Sequence, residues 1–440
     1  MTLHAEDWQK VRYHPGDFRL GRLIDVRSGA RVLTAGLHPV DFRNSAVVVG
    51  PTTKGKTTSV IAPWIASALN QGWSCIAVDV RGDLSAAVQK CLRRTSGTEP
   101  RLVTIDYLDR SNVDWNWIDE LLDGASVEPA VGALLGRTPP PRIADPALWH
   151  RDVGLLRAVL QQVDSLPAPR TTEGLIGILS TRDRLESHML DTGRSSSRLE
   201  GLMSFSEPED YARRTEIILS ALEGARSTAT TGLPPFRLKE LFAEPTFLCV
   251  PSPLSEEPRS ISFAALVVSL ALSIGFGRFG SSDGRPVLLA VDEAARMSGR
   301  LNLEELTSMG AGAGLRTLLS LQYVEQLQQY GLNDAAASAL LSNADTMIVM
   351  NGASTGSVRV FAERFGIVDT PFSSTSTTNQ NSFFPSSTRE TRLDRRLALG
   401  DREIREPPFG DRTALVHSRA VVSAPFVVDL TRDDMKPASI

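Results

Sequence analysis

Short apolar runs rich in Val, Ile and Leu recur along the chain, and each stops at a glycine, a proline or a polar residue. They are Ala46 to Val49, Ser74 to Val80, Leu102 to Asp106, Thr246 to Val250, Val287 to Val291, Leu315 to Leu321 and Thr346 to Met350. Runs of this length read as strands buried on both faces. Between them lie stretches such as Ser59 to Leu69 and Ala86 to Leu92 that read as helix. Strand alternating with helix predicts an α/β fold with a mainly parallel sheet. Phe18 to Leu23 and Ala30 to Leu33 predict two strands in an N-terminal β-rich segment, residues 1–45, and Ala414 to His417 and Phe426 to Val428 read as late strands.

From about Asn112 to Phe236 the pattern changes to amphipathic helices without convincing strands. One helix starts at Asp145-Pro146, with Asp as N-cap and Pro in the first turn, and keeps Leu148, Val153, Leu156, Val159, Leu160 and Val163 at helical spacing. A second runs through Thr215 to Leu222. This predicts an all-α insertion over residues 111–236, interrupting a domain built from residues 46–110 and 237–440. Trp115, Trp117 and Trp149 fall within the insertion, where core packing is the default role and base stacking the alternative. Residues 370–390 are dominated by Ser, Thr and Asn and read as a flexible excursion, since they carry little to bury. Arg389 to Arg405 alternates charges with leucines and reads as a surface helix or linker.

Composition changes this picture little. With 440 residues, 42% of them hydrophobic and 22% charged, there is material for a large globular core. The formal net charge of −4 does not advertise a nucleic-acid binder, yet a ring can confine its basic residues to a pore lining. Cys75, Cys91 and Cys249 lack metal spacing, and Cys75 and Cys249 sit in strand-like runs, which reads as buried free thiols in a reducing compartment. The N-terminus shows no signal-peptide pattern. The apolar run Phe263 to Phe276 is shorter than the roughly 20 residues a membrane span needs, so a buried helix on the sheet, and a cytoplasmic protein, are expected.

The candidate chemistry begins where the first buried strand ends. Gly50-Pro51-Thr52-Thr53-Lys54-Gly55-Lys56-Thr57 fits Gly-x-x-x-x-Gly-Lys-Thr, with Thr58 opening the helix beyond. Placed between strand and helix, this is a P-loop: its backbone N–H groups cradle phosphates, Lys56 reaches the β and γ phosphates of ATP, and the Thr57 hydroxyl joins the shell of Mg²⁺. Asp292 and Glu293 end the strand Val287 to Val291, a Walker B arrangement in which Asp292 would hold Mg²⁺ and Glu293 would polarise the attacking water. Leu315 to Leu321 delivers Gln322 at its end, either as a sensor of the γ-phosphate and water or as a helix-capping residue. The fold class is therefore a P-loop NTPase of the RecA-like kind with an all-α insertion.

These residues resemble those of the type IV secretion coupling proteins, the conjugative DNA-transfer ATPases of the FtsK/HerA superfamily. The likeness is carried by the P-loop, by Val78, Asp79, Gly82, Asp83 and Leu84, by Leu288 to Arg296, by Gly310 to Arg316, and by Leu321-Gln322 with Gln326-Leu327. It runs from about Phe18 to Val416 and implies a homo-hexameric ring that binds DNA and passes it, or a protein–DNA complex, towards a secretion channel. Relaxase, channel or effector proteins are the implied partners. Many members carry an N-terminal membrane-spanning region that this chain does not show, which implies either a soluble branch or recruitment to the inner face of the membrane by a separate anchor. Members often have Gly-Arg where this chain has Gly310-Ala311, that arginine being a candidate finger reaching the neighbouring subunit's phosphate; its absence leaves Arg316 or another arginine to supply the charge, or leaves hydrolysis slow, and Arg316 reads equally as a structural strand residue. Two other readings stay open. One is a HerA-like cytosolic ATPase of DNA processing or defence. The other is a recruitment platform that binds nucleotide and hydrolyses little.

Overall fold

The computed structural model describes residues 5–92, 99–108, 110–139, 145–204, 207–226, 232–278, 284–365, 367–378, 386–397, 401–406 and 410–431. Its strands are β1 (Phe18–Ile24), β2 (Arg31–Leu37), β3 (Ser45–Val49), β4 (Ser74–Asp79), β5 (Arg101–Thr104), β6 (Thr246–Pro251), β7 (Val287–Val291), β8 (Leu315–Leu321), β9 (Thr346–Met350), β10 (Ile367–Thr378), β11 (Ser386–Leu397), β12 (Thr413–Ser418) and β13 (Val422–Asp429). Eleven of them form one sheet in the order β2-β1-β13-β12-β9-β3-β8-β7-β4-β6-β5. From β9 to β5 every neighbouring pair is parallel. The remaining pairs, from β9 through β12 and β13 to β1 and β2, are antiparallel. The apolar runs of the sequence are the central strands: every residue of β3, β7 and β9 is buried, because parallel strands are covered on both faces.

Two apolar layers cover the sheet. On one face Phe18, Phe42 and Trp64 interlock, with ring centroids 5.1 to 5.5 Å apart. This places the N-terminal strands in one core with the P-loop helix, and the pairing of β1 with β13 puts them in the same sheet. On the other face the core runs without a break from the sheet through the helix Arg259–Gly277 into the inserted helices. Trp115 meets Phe263 edge-on at 5.9 Å, and Trp117 is fully buried with its indole N–H on Thr172 Oγ1 at 2.8 Å and Ala225 O at 2.9 Å. Both side chains pack in the core. Trp149 is half-buried and donates to Leu135 O at 3.4 Å.

The insertion consists of helices from Trp117–Leu122 to Pro208–Glu223, and Asp145 caps Pro146–Leu160 by accepting from Ala147 N at 2.9 Å. Its entry and exit are stapled together. Asp114 and Phe236 bond through their backbones at 3.0 Å, Asp119 pairs with Arg237 at 2.6 Å, and Glu120 accepts from Leu238 N at 2.9 Å. The helix Arg259–Gly277 is, among the described residues, the one long and apolar enough to cross a membrane; its mean hydropathy is 2.0, and 78% of it is buried within the protein.

The Ser/Thr/Asn-rich stretch, expected as a flexible excursion, has strand backbone where it is described. Its described backbone is β10, paired antiparallel with β11 from Ile367↔Leu397 to Thr378↔Ser386 as a ribbon separate from the main sheet. Residues 379–385 lie outside the described residues. Arg389 to Leu397 is accordingly strand, with helix only at Asp401–Arg405.

Candidate functional site

The carboxyl edge of the parallel strands gathers the residues singled out above. In the order β3-β8-β7-β4, the strand ends present the P-loop, Gln322, the Asp292-Glu293 pair and the turn after Asp79 side by side. Gly50 is required by closeness: a Cβ there would lie 2.6 Å from Met350 Cβ on neighbouring β9. Gly55 turns the chain at φ +87°, a value that favours glycine. Pro51 and Lys54 are half-buried and Thr52 and Thr53 exposed at the loop's crest, with Thr53 also at positive φ, +71°. Lys54 faces Asp411 at 3.6 Å. Thr58 donates to Gly55 O at 3.4 Å, and the helix starts with a π-type turn, Thr57–Ile61, before Ala62–Asn70.

Lys56 is buried with its ammonium on Gly50 O at 2.6 Å and Pro51 O at 3.1 Å, bent over the mouth of the loop. Burial lowers its pKa, opposed by the nearby carboxylates of Glu293 and Asp292. Thr57 Oγ1 lies 3.5 Å from Asp292 Oδ2, so the two residues assigned to Mg²⁺ are brought together. Among the described residues Asp292 Oδ1 is buried without a hydrogen-bond partner of normal geometry, although the Ser320 hydroxyl bears on the carboxylate. Burial, then the charge of Glu293, pushes the Asp292 pKa upward. An orphaned carboxylate oxygen beside a hydroxyl is a donor set that a hard divalent cation fits.

Glu293 has left-handed backbone angles, φ 55° and ψ 47°, which cost a non-glycine residue about 1–2 kcal/mol and aim its carboxylate along the edge. Its Oε1 accepts from Gln322 Nε2 at 2.9 Å and faces Arg81 Nη2 at 3.5 Å. Gln322 is held in turn by its backbone N–H on Gln326 Oε1 at 3.2 Å. Arg81 carried no role in the sequence reading, although it lies inside the Asp79 to Leu84 motif. The signal was present, but its partner is 212 residues away in sequence. Asp79 shapes that turn by accepting from the backbones of Arg81 at 3.2 Å, Gly82 at 2.7 Å and Leu84 at 3.0 Å.

Arg316 is not brought into this constellation. It opens β8, whereas Gln322 follows the strand's far end, about 20 Å away at about 3.3 Å per residue. Its guanidinium is half-buried on the carbonyls of Phe42 at 3.1 Å and of Ala311 and Leu315 at 3.2 Å. These bonds tie the start of β8 to the preceding turn.

The fold is that of a P-loop NTPase of RecA-like architecture. Residues 286–408 match the family model described as the TraM recognition site of TraD and TraG. Among solved structures, the chain is similar to the plasmid coupling protein TrwB in complex with ADP and Mg²⁺, at 15% identity and a TM-score of 0.64, covering 98% of this chain and 92% of that one. It is also similar to TrwB with a non-hydrolysable ATP analogue, at 16% identity and a TM-score of 0.64, covering 99% and 95%. A third match is the unbound monoclinic form of the conjugative coupling protein TrwBdeltaN70, at 15% identity and a TM-score of 0.63, covering 97% and 95%. No curated protein sequence matches the chain. The chain thus has the fold of TrwB over nearly its whole length, and its residues 286–408 match the TraD and TraG model.

Proposed function

We propose that this protein is an ATP-driven DNA motor of the coupling-protein type, moving DNA or a nucleoprotein towards a type IV secretion channel. The observation that carries the reading is the convergence, on one sheet edge, of the P-loop lysine, the Thr57 and Asp292 pair and the Glu293 to Gln322 hydrogen bond. Lys56 leaves the loop carbonyls to meet phosphate oxygens. Glu293 accepts the proton of the attacking water, and Gln322 holds both carboxylate and water in line. Thr57 and Asp292 would hold Mg²⁺, which when bound neutralises charge on the phosphates. Assembly as a homo-hexamer on DNA, a cytoplasmic location and partners among relaxase, channel or effector proteins complete the proposal. They rest on the coupling-protein likeness and on the match to the TraM recognition model.

The test is ATP turnover of the full chain with and without DNA. DNA should stimulate hydrolysis, and Lys56→Ala and Glu293→Gln should each reduce it by on the order of 100-fold or more, with nucleotide still bound by Glu293→Gln. Hydrolysis indifferent to DNA in an assembled ring would refute the motor reading. A second reading, the platform with little hydrolysis, is favoured by one observation: Ala311 stands at the family's arginine position, and Arg316 is spent on carbonyls. Nucleotide binding with turnover near zero at saturating DNA would select it.

A further inference from the structure

Glu293 is flanked on both sides by the order of strands in the sheet. β7 lies between β8 and β4, so Gln322 reaches the carboxylate from one neighbour and Arg81 from the other. Both face the same oxygen, Oε1; among the described residues, no donor is directed at Oε2. The two ends of the Arg81 contact differ in setting: the Glu293 side chain is 6% exposed and that of Arg81 is 37% exposed. The turn that carries Arg81 is held by three backbone N–H groups on the buried Asp79 carboxylate, so the arginine stem starts from a rigid base. Its charge also bears on the rest of the site, acting on both Lys56 and Asp292.

We propose that Arg81 is a positioning residue for hydrolysis: with Gln322 it holds Glu293 by Oε1 and turns Oε2 towards the water. This rests on the hydrolytic reading above. It places one fixed cation beside the general base within the same chain, in a protein whose Ala311 offers none from the expected turn. An arginine suits the task better than a lysine, because its planar fork keeps its direction once one N–H is engaged. Arg81 acts through Glu293 and makes no bond to the reacting phosphate.

The experiment uses the full chain at saturating DNA with the variants Arg81→Gln, Arg81→Lys, Glu293→Gln and Arg81→Gln/Glu293→Gln. Turnover is measured against ATP concentration, and binding of a fluorescent ATP analogue is measured in parallel, which also reports folding. A carboxylate misplaced by about 1 Å costs on the order of 100-fold, so Arg81→Gln should lower kcat by about 10- to 100-fold. KM and analogue affinity should stay within about twofold, Arg81→Lys should recover part of the loss, and Arg81→Gln should add nothing in the Glu293→Gln background. Affinity falling in step with kcat, losses that multiply in the double variant, or an unaffected Arg81→Gln would each overturn the assignment while wild-type turnover stands. Absent turnover in the wild type would instead remove the hydrolytic reading, and this assignment with it.

Discussion

Glu120 gives a prediction whose size can be worked from the structure. Its side chain is fully buried at the base of the insertion. Oε1 accepts from Trp115 Nε1 at 3.0 Å and from Leu238 N at 2.9 Å, while Oε2 has no partner among the described residues. Burial, only partly offset by these two donors, pushes its pKa from 4.5 to about 7. In the unfolded chain the carboxyl loses its proton at the ordinary value; in the native state it keeps it to about pH 7. Between those limits the native state holds more protons at this site, so the contribution of Glu120 to stability is greatest below pH 4.5 and falls as pH rises to about 7. A difference of 2.5 units at about 1.4 kcal/mol each makes this loss about 3 kcal/mol. Glu120→Gln keeps the acceptor for Trp115 and Leu238 but cannot ionise. Its stability relative to the wild type should therefore rise by about 3 kcal/mol between pH 4.5 and 7.5. Urea denaturation followed by tryptophan fluorescence reads the region directly, since Trp115 and Trp117 surround the staple. A difference between variant and wild type that does not change with pH would refute the reasoning, as would one that changes in the opposite direction.

Gly50→Ala forces a Cβ to within 2.6 Å of Met350 Cβ and should cost about 1–3 kcal/mol and most of the nucleotide affinity, read by thermal denaturation and by binding of a fluorescent ATP analogue. The same change made in a Met350→Gly background should cost markedly less, because the Cβ it meets is gone; equal costs in both backgrounds would show that the contact is not the cause. Arg316→Ala removes a guanidinium bound to three carbonyls and should lower stability by about 2–4 kcal/mol in chemical denaturation, with nucleotide affinity and turnover of the folded protein unchanged. Turnover lost at unchanged stability would return the arginine to a catalytic role.

The main elements of the site were legible because each is local. A P-loop is a strand, a glycine-rich turn and a helix in one stretch of chain, and Asp292, Glu293 and Gln322 follow directly from where apolar strands end. The position of Arg316 was in principle readable too: a residue that opens a parallel strand lies at the opposite edge from one that follows its end. Arg81 could not be assigned, since its role depends on β4 lying beside β7, and adjacency of strands far apart in sequence leaves no mark in either. The same holds for the N-terminal strands, whose place in the main sheet comes from β1 pairing with β13 at Arg22↔Asp429.

What the sequence determined by itself, then, was the alternation of buried strands and helices, the helical character of the insertion and the glycine-rich loop between β3 and its helix. Those follow from hydrophobic period, capping residues and turn chemistry within a few residues of each other. Tertiary structure decided which strand ends are neighbours. It therefore decided that Glu293 stands between Gln322 and Arg81, that Thr57 reaches Asp292, and that insertion and sheet share one core. Those contacts depend on strand order and on packing across hundreds of residues, which local propensity does not encode.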